Sequence, residues 1–256
     1  VGKDILRFHA VIWPAMLMAA GIDIPRKVFA HGWLLVGGEK MSKSKLTGIA
    51  PSDITDHFGV DAFRYYFLRA IPFGSDGSFS WEDMSARYTS ELANDFGNLA
   101  SRLAAMIEKY CGGLIPAPHR DEVLAQALQA TVDKADAAMV TLDFQGGIVA
   151  AMDFCKKVNG YVTEKEPWIL AKDPANKAEL DEVLYNTAES LRALAVLLHP
   201  VMPATTEMLW ESLGANAAIG SLDAQIISNV AKWGQLPQGT IVTRTPVLFP
   251  RLEIKE

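Results

Sequence analysis

Apolar positions recur at steps of three and four through much of the second half of the chain. Leu92, Phe96, Leu99, Leu103, Met106 and Tyr110 form one stripe that stops at Gly112-Gly113. Leu124, Leu128, Val132, Ala135, Met139 and Leu142 form a second, and Leu180, Leu184, Thr187, Leu191, Leu194 and Leu198 a third. A shorter stretch around Ile148, Met152 and Cys155 keeps the same period, and Pro203 opens one further helix that runs to Gly214. Each stripe covers one helix face and cannot bury itself alone, so the pattern predicts an antiparallel helical bundle.

The first ninety residues read differently. Phe8, Val11, Ile12, Trp13, Ala15, Met16 and Leu17 surround Pro14, which predicts an apolar helix over 3–20 with a proline kink or break, stopped at Gly21. Residues 28–36 are rich in β-branched and aromatic side chains and predict a buried strand that ends in a turn at Gly37-Gly38. A short helix is expected over 53–57. Asp61 reads as the N-cap of an apolar helix from Ala62 to Ala70. Pro72, Gly74, Asp76 and Gly77 suggest a loop or short hairpin, and the apolar segment 247–252 an extended tail laid back on the body. The architecture is thus an α/β remnant, a connecting segment and a mainly α-helical bundle.

Composition narrows the function. The chain has 256 residues, a net charge of −6 and 50% hydrophobic residues, enough for a large core and too apolar for disorder. No apolar run approaches the ~20 residues that span a bilayer. Cys111 and Cys155 are the only cysteines. Their isolation argues against a zinc site in this chain and suits a reducing, cytoplasmic setting. Residues 1–50 carry seven Lys/Arg against three Asp/Glu, on an otherwise acidic body. That asymmetry points to a localised anion site instead of a general nucleic-acid coat. The opening Val1-Gly2-Lys3-Asp4 carries no leader pattern, and the expectation is that it lies inside a longer protein.

The basic residues concentrate in Lys40-Met41-Ser42-Lys43-Ser44-Lys45, after two glycines. Several ammonium groups on one small-residue loop suit a polyphosphate whose charge grows during reaction, although a solvated surface turn has the same composition. The context decides. Lys40-Met41-Ser42-Lys43-Ser44 is the KMSKS signature, and Gly59-Val60-Asp61-Ala62-Phe63-Arg64-Tyr65-Tyr66 resembles the G-x-D-A-x-R-Y-Y run that follows it in class I aminoacyl-tRNA synthetases. The resemblance implies ATP binding by Met41, Ser42, Lys43 and Ser44. It also implies stabilisation of departing pyrophosphate by Lys43 and Lys40.

The opening segment is more selective. Gly2-Lys3-Asp4-Ile5-Leu6-Arg7-Phe8-His9 with Trp13-Pro14-Ala15 resembles the G-K-D-I-x-x-F-H…W-P-A stretch of the methionyl-tRNA synthetase family. Asp4 and His9 lie about 140° apart on a continuous helix, so they share a pocket only if Asp4 stands at or before its start. The resemblance assigns Asp4, Ile5 and His9 to the methionine pocket, and Gly2, His31, Gly32 and Leu34 to adenosine.

The third signal is a polar ridge. Asn94, Asn98 and Arg102 are spaced by four, and amide and guanidinium groups on an exposed ridge can read the edges of unstacked RNA bases. A solvated helix face has the same spacing. Asn98-Leu99-Ala100-Ser101-Arg102 resembles the family's N-L-A-S-R motif, which implies anticodon contacts by Asn98 and Arg102. Glu166-Pro167-Trp168 resembles its P-W element, which implies that Trp168 stacks on an anticodon base. Trp13, Trp210 and Trp233 read as ordinary packing between helices.

Taken together, the resemblance implies the C-terminal half of a methionine-activating, tRNA-charging ligase. Residues 1–36 would complete a Rossmann-type nucleotide-binding domain, 37–94 form the KMSKS and stem-contact connection, and 95–256 the anticodon-binding bundle. Its substrates would be methionine, ATP with Mg2+ and tRNA(Met), with no resident metal and no membrane, acting as a monomer in the cytoplasm. The family's HIGH motif is absent from these residues, so the isolated chain is expected not to catalyse adenylation. The alternatives are an isoleucyl-, valyl-, leucyl- or cysteinyl-type enzyme of the same class, and a non-catalytic tRNA-binding protein that kept the loop.

Overall fold

The computed structural model describes residues 1–36, 49–244 and 246–252, and the backbone alone of residues 39–40. The chain opens with a helical rod: a 3-10 turn Lys3–Ile5, a π-wound segment Phe8–Ile12, and α1 (Trp13–Ala19). Pro14 has no N–H to give an α-helical bond. The wider winding just before it absorbs the gap, so the rod bulges where the sequence predicted a kink or break. No residue between Lys3 and Ala19 is buried. Trp13, expected to pack between helices, is 44% exposed.

The strand expected over 28–36 shrinks to β1 (Leu34–Val36), which is half-buried, because residues 28–33 make only one isolated bridge, between His31 and Gly2. β1 pairs antiparallel with β2 (Glu39–Lys40), and parallel with β3 (Gly77–Phe79) on its other edge. Of the loop or hairpin expected over 72–81, residues 72–76 are a turn, and 77–79 form the far edge of a three-stranded mixed sheet. Between β2 and β3 lie α2 (Pro51–Phe58) and α3 (Val60–Ala70).

Asp61 does not cap its own helix. Gly59, at φ 85°, holds the N-cap position in a backbone conformation that suits glycine, and Asp61 lies buried in the first turn of α3.

α4 (Trp81–Arg87) runs without a break through a π-wound segment, Tyr88–Gly97, into α5 (Asn98–Cys111). Gly112, left-handed at φ 60°, ends this second rod where the glycine pair predicted. α6 (Glu122–Thr141) is capped by the Asp121 carboxylate, which accepts from Leu124 N, and Leu142 leaves the predicted stripe to become its left-handed C-cap. α7 (Phe144–Lys165) is far longer than the short stretch expected. The Asp143 cap accepting from Gly146 N starts it, and Gly146, Gly147 and Gly160 had obscured its periodicity. α8 (Pro167–Leu170) and α9 (Lys177–Leu198) follow, then α10 (Pro203–Ser212), α11 (Ala215–Ile219) and α12 (Ile227–Val230).

α9 is the axis of the bundle. Every residue from Val183 to Ala195 is buried, beyond what a one-face stripe predicts, because α5, α6, α7, α8, α10 and α12 all pack around it. Its polar residues are paired inside. Glu189 receives Arg192 Nε at 2.8 Å and the backbone N–H groups of Gly234, Gln235 and Leu236 at 3.1 Å, which staples the C-terminal segment to the axis. Trp210 is fully buried and donates from Nε1 to Gly220 O. The tail lies back as expected: Leu248 and Phe249 are buried and the Tyr88 hydroxyl donates to Pro250 O.

Candidate functional site

The residues singled out by sequence fall into two groups at separate places in the fold. The first gathers on the N-terminal rod and the sheet. His31 N donates to Val1 O and Lys3 N to His31 O, so Gly2 and His31, assigned to one adenosine site, lie side by side. Gly32 follows. A β-carbon there would come within 2.2 Å of the Ser75 carbonyl, so only glycine permits this backbone contact. Leu34 is half-buried on β1, with a cavity of about 160 Å³ beside it that Phe67, Phe73 and Phe144 also line.

Asp76 ties these pieces together. It receives Lys3 Nζ at 2.6 and 2.7 Å and Trp33 N at 2.8 Å, while the same ammonium lies 4.3 Å from the Trp33 ring centre. The Lys3 hydrogen bond, helped by the Trp33 N–H, holds the Asp76 carboxyl below the usual carboxylate range. The sequence marks Asp76 only as a turn residue, and an aspartate in a glycine-rich loop carries no signal of a partner 73 positions away.

Asp4 is the second residue of the rod's opening 3-10 turn, Lys3–Ile5, inside the helical start and not ahead of it. His9 Nδ1 donates to Ile5 O at 3.0 Å, and the ring also meets Trp13 edge-on at 6.1 Å. Ile5 is 41% exposed beside them. Among the lysine-segment residues, Lys40 is placed by its backbone opposite Leu35 in the β1–β2 pair. Met41, Ser42, Lys43 and Ser44 lie outside the described residues.

The second group stands on the bundle. Asn98 is exposed at the first turn of α5, where the π-wound segment gives way to regular helix. Arg102, one turn on, is half-buried, and its guanidinium lies 5.3 Å from the centre of the Trp168 ring. Trp168 owes its direction to two neighbours. Glu166 adopts a left-handed backbone at φ 45°, and Pro167, buried, starts α8. The chain thus turns sharply off α7 and leaves the indole half-exposed next to Arg102. Asn159 fixes the other side, donating from Nδ2 to Asp95 O in the π-wound segment that carries Asn94. Burial raises the Asp95 carboxyl above its usual range, and nearby Lys156 opposes that shift.

Joining the two groups is the motif helix α3, whose side chains other than Asp61 entered the sequence reading only as part of the family motif. Tyr66 meets Phe79 edge-on at 5.6 Å and Phe67 stacks on it at 5.8 Å, which fixes α3 to β3. The Tyr65 hydroxyl donates to Glu91 Oε2 at 2.5 Å; Arg69 and Arg87 each reach Glu91 Oε1 at 3.2 Å. Burial, then the bond to Glu91, pushes the Tyr65 hydroxyl pKa well up. Asp61 and Arg64 point instead to the turn between α9 and α10.

Comparison with known proteins agrees with this layout. Residues 1–104 match the family described as tRNA synthetases class I (M), and residues 121–233 the anticodon-binding domain of tRNA ligase. The chain is 62% identical to the methionine–tRNA ligase of Streptomyces coelicolor, over all of this chain and 49% of that protein. It is 44% identical to the corresponding ligase of Caldanaerobacter subterraneus, over all of this chain and 40% of that one. The chain therefore spans about half or less of the length of these relatives. Methionyl-tRNA synthetase of Mycobacterium tuberculosis bound by methionyl-adenylate superposes with a TM-score of 0.85 at 35% identity, over 97% of this chain and 49% of that one. Its free form gives 0.83 at 33%, with 98% and 49% covered. Among the described residues no helix is long and apolar enough to cross a membrane.

Proposed function

The chain belongs to the methionyl-tRNA synthetase family, and on that premise we propose that it is the C-terminal part of a methionine–tRNA ligase acting in the cytoplasm. The whole enzyme joins methionine to ATP, taken as its magnesium complex, and passes the methionyl group to the 3′ end of tRNA(Met). In the first step a carboxylate oxygen of methionine attacks the α-phosphorus. The bond to the β-phosphate bridge breaks, and pyrophosphate leaves with the electron pair. In the second, a hydroxyl of the terminal ribose attacks the acyl carbon and AMP leaves.

Each residue group has a part. Gly2, His31, Gly32 and Leu34 hold adenosine, Asp4 faces the methionine ammonium, and Ile5 and His9 line the thioether's pocket. Lys43 and Lys40, with Met41, Ser42 and Ser44, bind the phosphates and meet the charge that grows on the leaving pyrophosphate. Asn98 and Arg102 read the anticodon, and Trp168 stacks on one of its bases. In domain terms, 1–36 complete the nucleotide-binding fold, 37–94 form the stem-contact connection and 95–256 the anticodon-binding unit.

The observation that carries this reading is the guanidinium of Arg102 held against the half-exposed indole of Trp168, a planar donor beside a stacking surface. The test is methionine-dependent ATP–pyrophosphate exchange. In the full-length protein, replacing both Lys40 and Lys43 by Ala should lower exchange at least about 100-fold, the usual loss on removing a donor to developing charge. Normal exchange by that variant would overturn the assignment of the lysines. The 256-residue chain alone should show none, and robust exchange by it would overturn its reading as a part.

A further inference from the structure

Two features of the turn at 199–205 are unusual taken by themselves. α10 begins after Met202, whose side chain makes no cap, and its N-terminal N–H groups need an acceptor. That acceptor comes from another helix altogether. Asp61, 8% exposed in the first turn of α3, accepts the Thr205 N–H at 2.6 Å, the position a side-chain cap would serve, and puts a negative charge at the positive end of α10. Three residues along, exposed Arg64 donates from Nε to Val201 O at 2.9 Å and from its terminal nitrogen to Pro200 O at 2.7 Å. A carboxylate on one N–H and a guanidinium on two carbonyls, both from one turn of α3, grip one turn of the bundle with complementary charge.

The grip lies on the path between the two groups of site residues. On one side α3 is fixed through Tyr66 and Phe67 to Phe79 of β3, whose neighbour β1 pairs with the strand carrying Lys40. On the other, the gripped turn ends α9, the bundle axis, which packs against α5 and α8, the bearers of Arg102 and Trp168.

We propose that Asp61 and Arg64 are positioning residues for tRNA charging: they set the angle and spacing between the lysine-loop sheet and the anticodon bundle. Neither touches a substrate. A tRNA bound at its anticodon must also deliver its 3′ end to the adenylate, so the second contact is intramolecular and depends on that spacing. Methionine and ATP are small and need only the first site. The inference rests on the functional reading above, and it predicts a division between the two half-reactions.

The experiment uses the full-length protein with Asp61→Leu, Asp61→Asn and Arg64→Met, each checked for a native melt. Leu and Met should lower kcat/KM for tRNA charging at least about tenfold, the scale on which small misplacements act, and leave ATP–pyrophosphate exchange within about twofold. An isolated anticodon stem–loop should bind each variant with unchanged affinity, and Asp61→Asn, which keeps an acceptor oxygen, should recover most of the charging. Should Asp61→Leu not fold, Arg64→Met carries the same test from the exposed side. Parallel loss of exchange and charging, weakened stem–loop binding, or charging unchanged in every variant would each overturn the proposal. Absence of charging by the unaltered full-length protein would instead overturn the functional reading.

Discussion

Two helical segments of the same chain sit in opposite surroundings. Along α9 every residue from Val183 to Ala195 is buried, and its charged pair Glu189–Arg192 is satisfied by backbone groups of the C-terminal segment. Along the rod from Lys3 to Ala19 none is buried, although it carries Phe8, Trp13, Met16 and Met18 at the surface. The bundle is held by its own core. The rod and the strand beside it are held by a few directed contacts, chiefly Asp76 with Lys3 and Trp33 and the paired backbones of Gly2 and His31. An apolar pattern therefore specifies a helix in both places and a packed interior in only one.

Substitutions can break or sharpen that contrast. In the bundle, Trp210→Ala should destabilise by about 3–5 kcal/mol in denaturant unfolding, since it empties a fully enclosed site and removes the donor to Gly220 O. Arg192→Met alone, leaving Glu189 buried with only backbone donors, should lose about 3–5 kcal/mol, and adding Glu189→Leu should not restore it, because the N–H groups of Gly234, Gln235 and Leu236 then lose their acceptor. A double variant as stable as the unaltered chain would refute the idea that Glu189 staples the C-terminal segment.

Trp168→Ala tests function at the bundle's surface. It should weaken tRNA binding by about 1–3 kcal/mol, read as a raised KM in charging, and leave ATP–pyrophosphate exchange unchanged. Trp13→Ala on the rod should shift the stability of the 256-residue chain by no more than about 0.5 kcal/mol, against the several lost at Trp210. A large loss would show that the rod is packed after all.

The smallest effect concerns pH. The folded-state pKa of Asp76 is lowered, so the stability from its tie to Lys3 is fully present above the unfolded value of about 3.9 and is lost as pH falls through the lower folded value. The difference in melting temperature between the protein and Asp76→Asn should stay constant from pH 8 to 5 and close only in stronger acid.

The sequence was legible where one stripe met one core. The bodies of α5, α6 and α9 follow from apolar periodicity, with Gly112 marking the end of α5 and Pro203 the start of α10. α7 was under-read because three glycines interrupt the pattern, while the Asp143 cap that starts it is a local signal that could have been used. β3 was invisible, since a three-residue strand is defined by its partner and not by its own side chains. In the site, the resemblance only grouped Gly2 with His31 and Arg102 with Trp168, and their contacts come from the fold, as no spacing rule links positions so far apart. Asp61 shows the limit most clearly. Its sequence context suits a cap, and it is one, but for a helix that begins more than a hundred residues later.

The parallel pairing of β1 with β3 also bears on how the molecule assembles. Their register joins Leu34 with Gly77 and Val36 with Phe79, so α2 and α3 must be made and docked before the sheet can close. Loop-closure entropy slows such non-local pairing, and a ribosome releases β1 some forty residues before its mate. The parallel edge between β1 and β3 is therefore expected to be among the last parts to reach native order, after the local helices of the same region have formed.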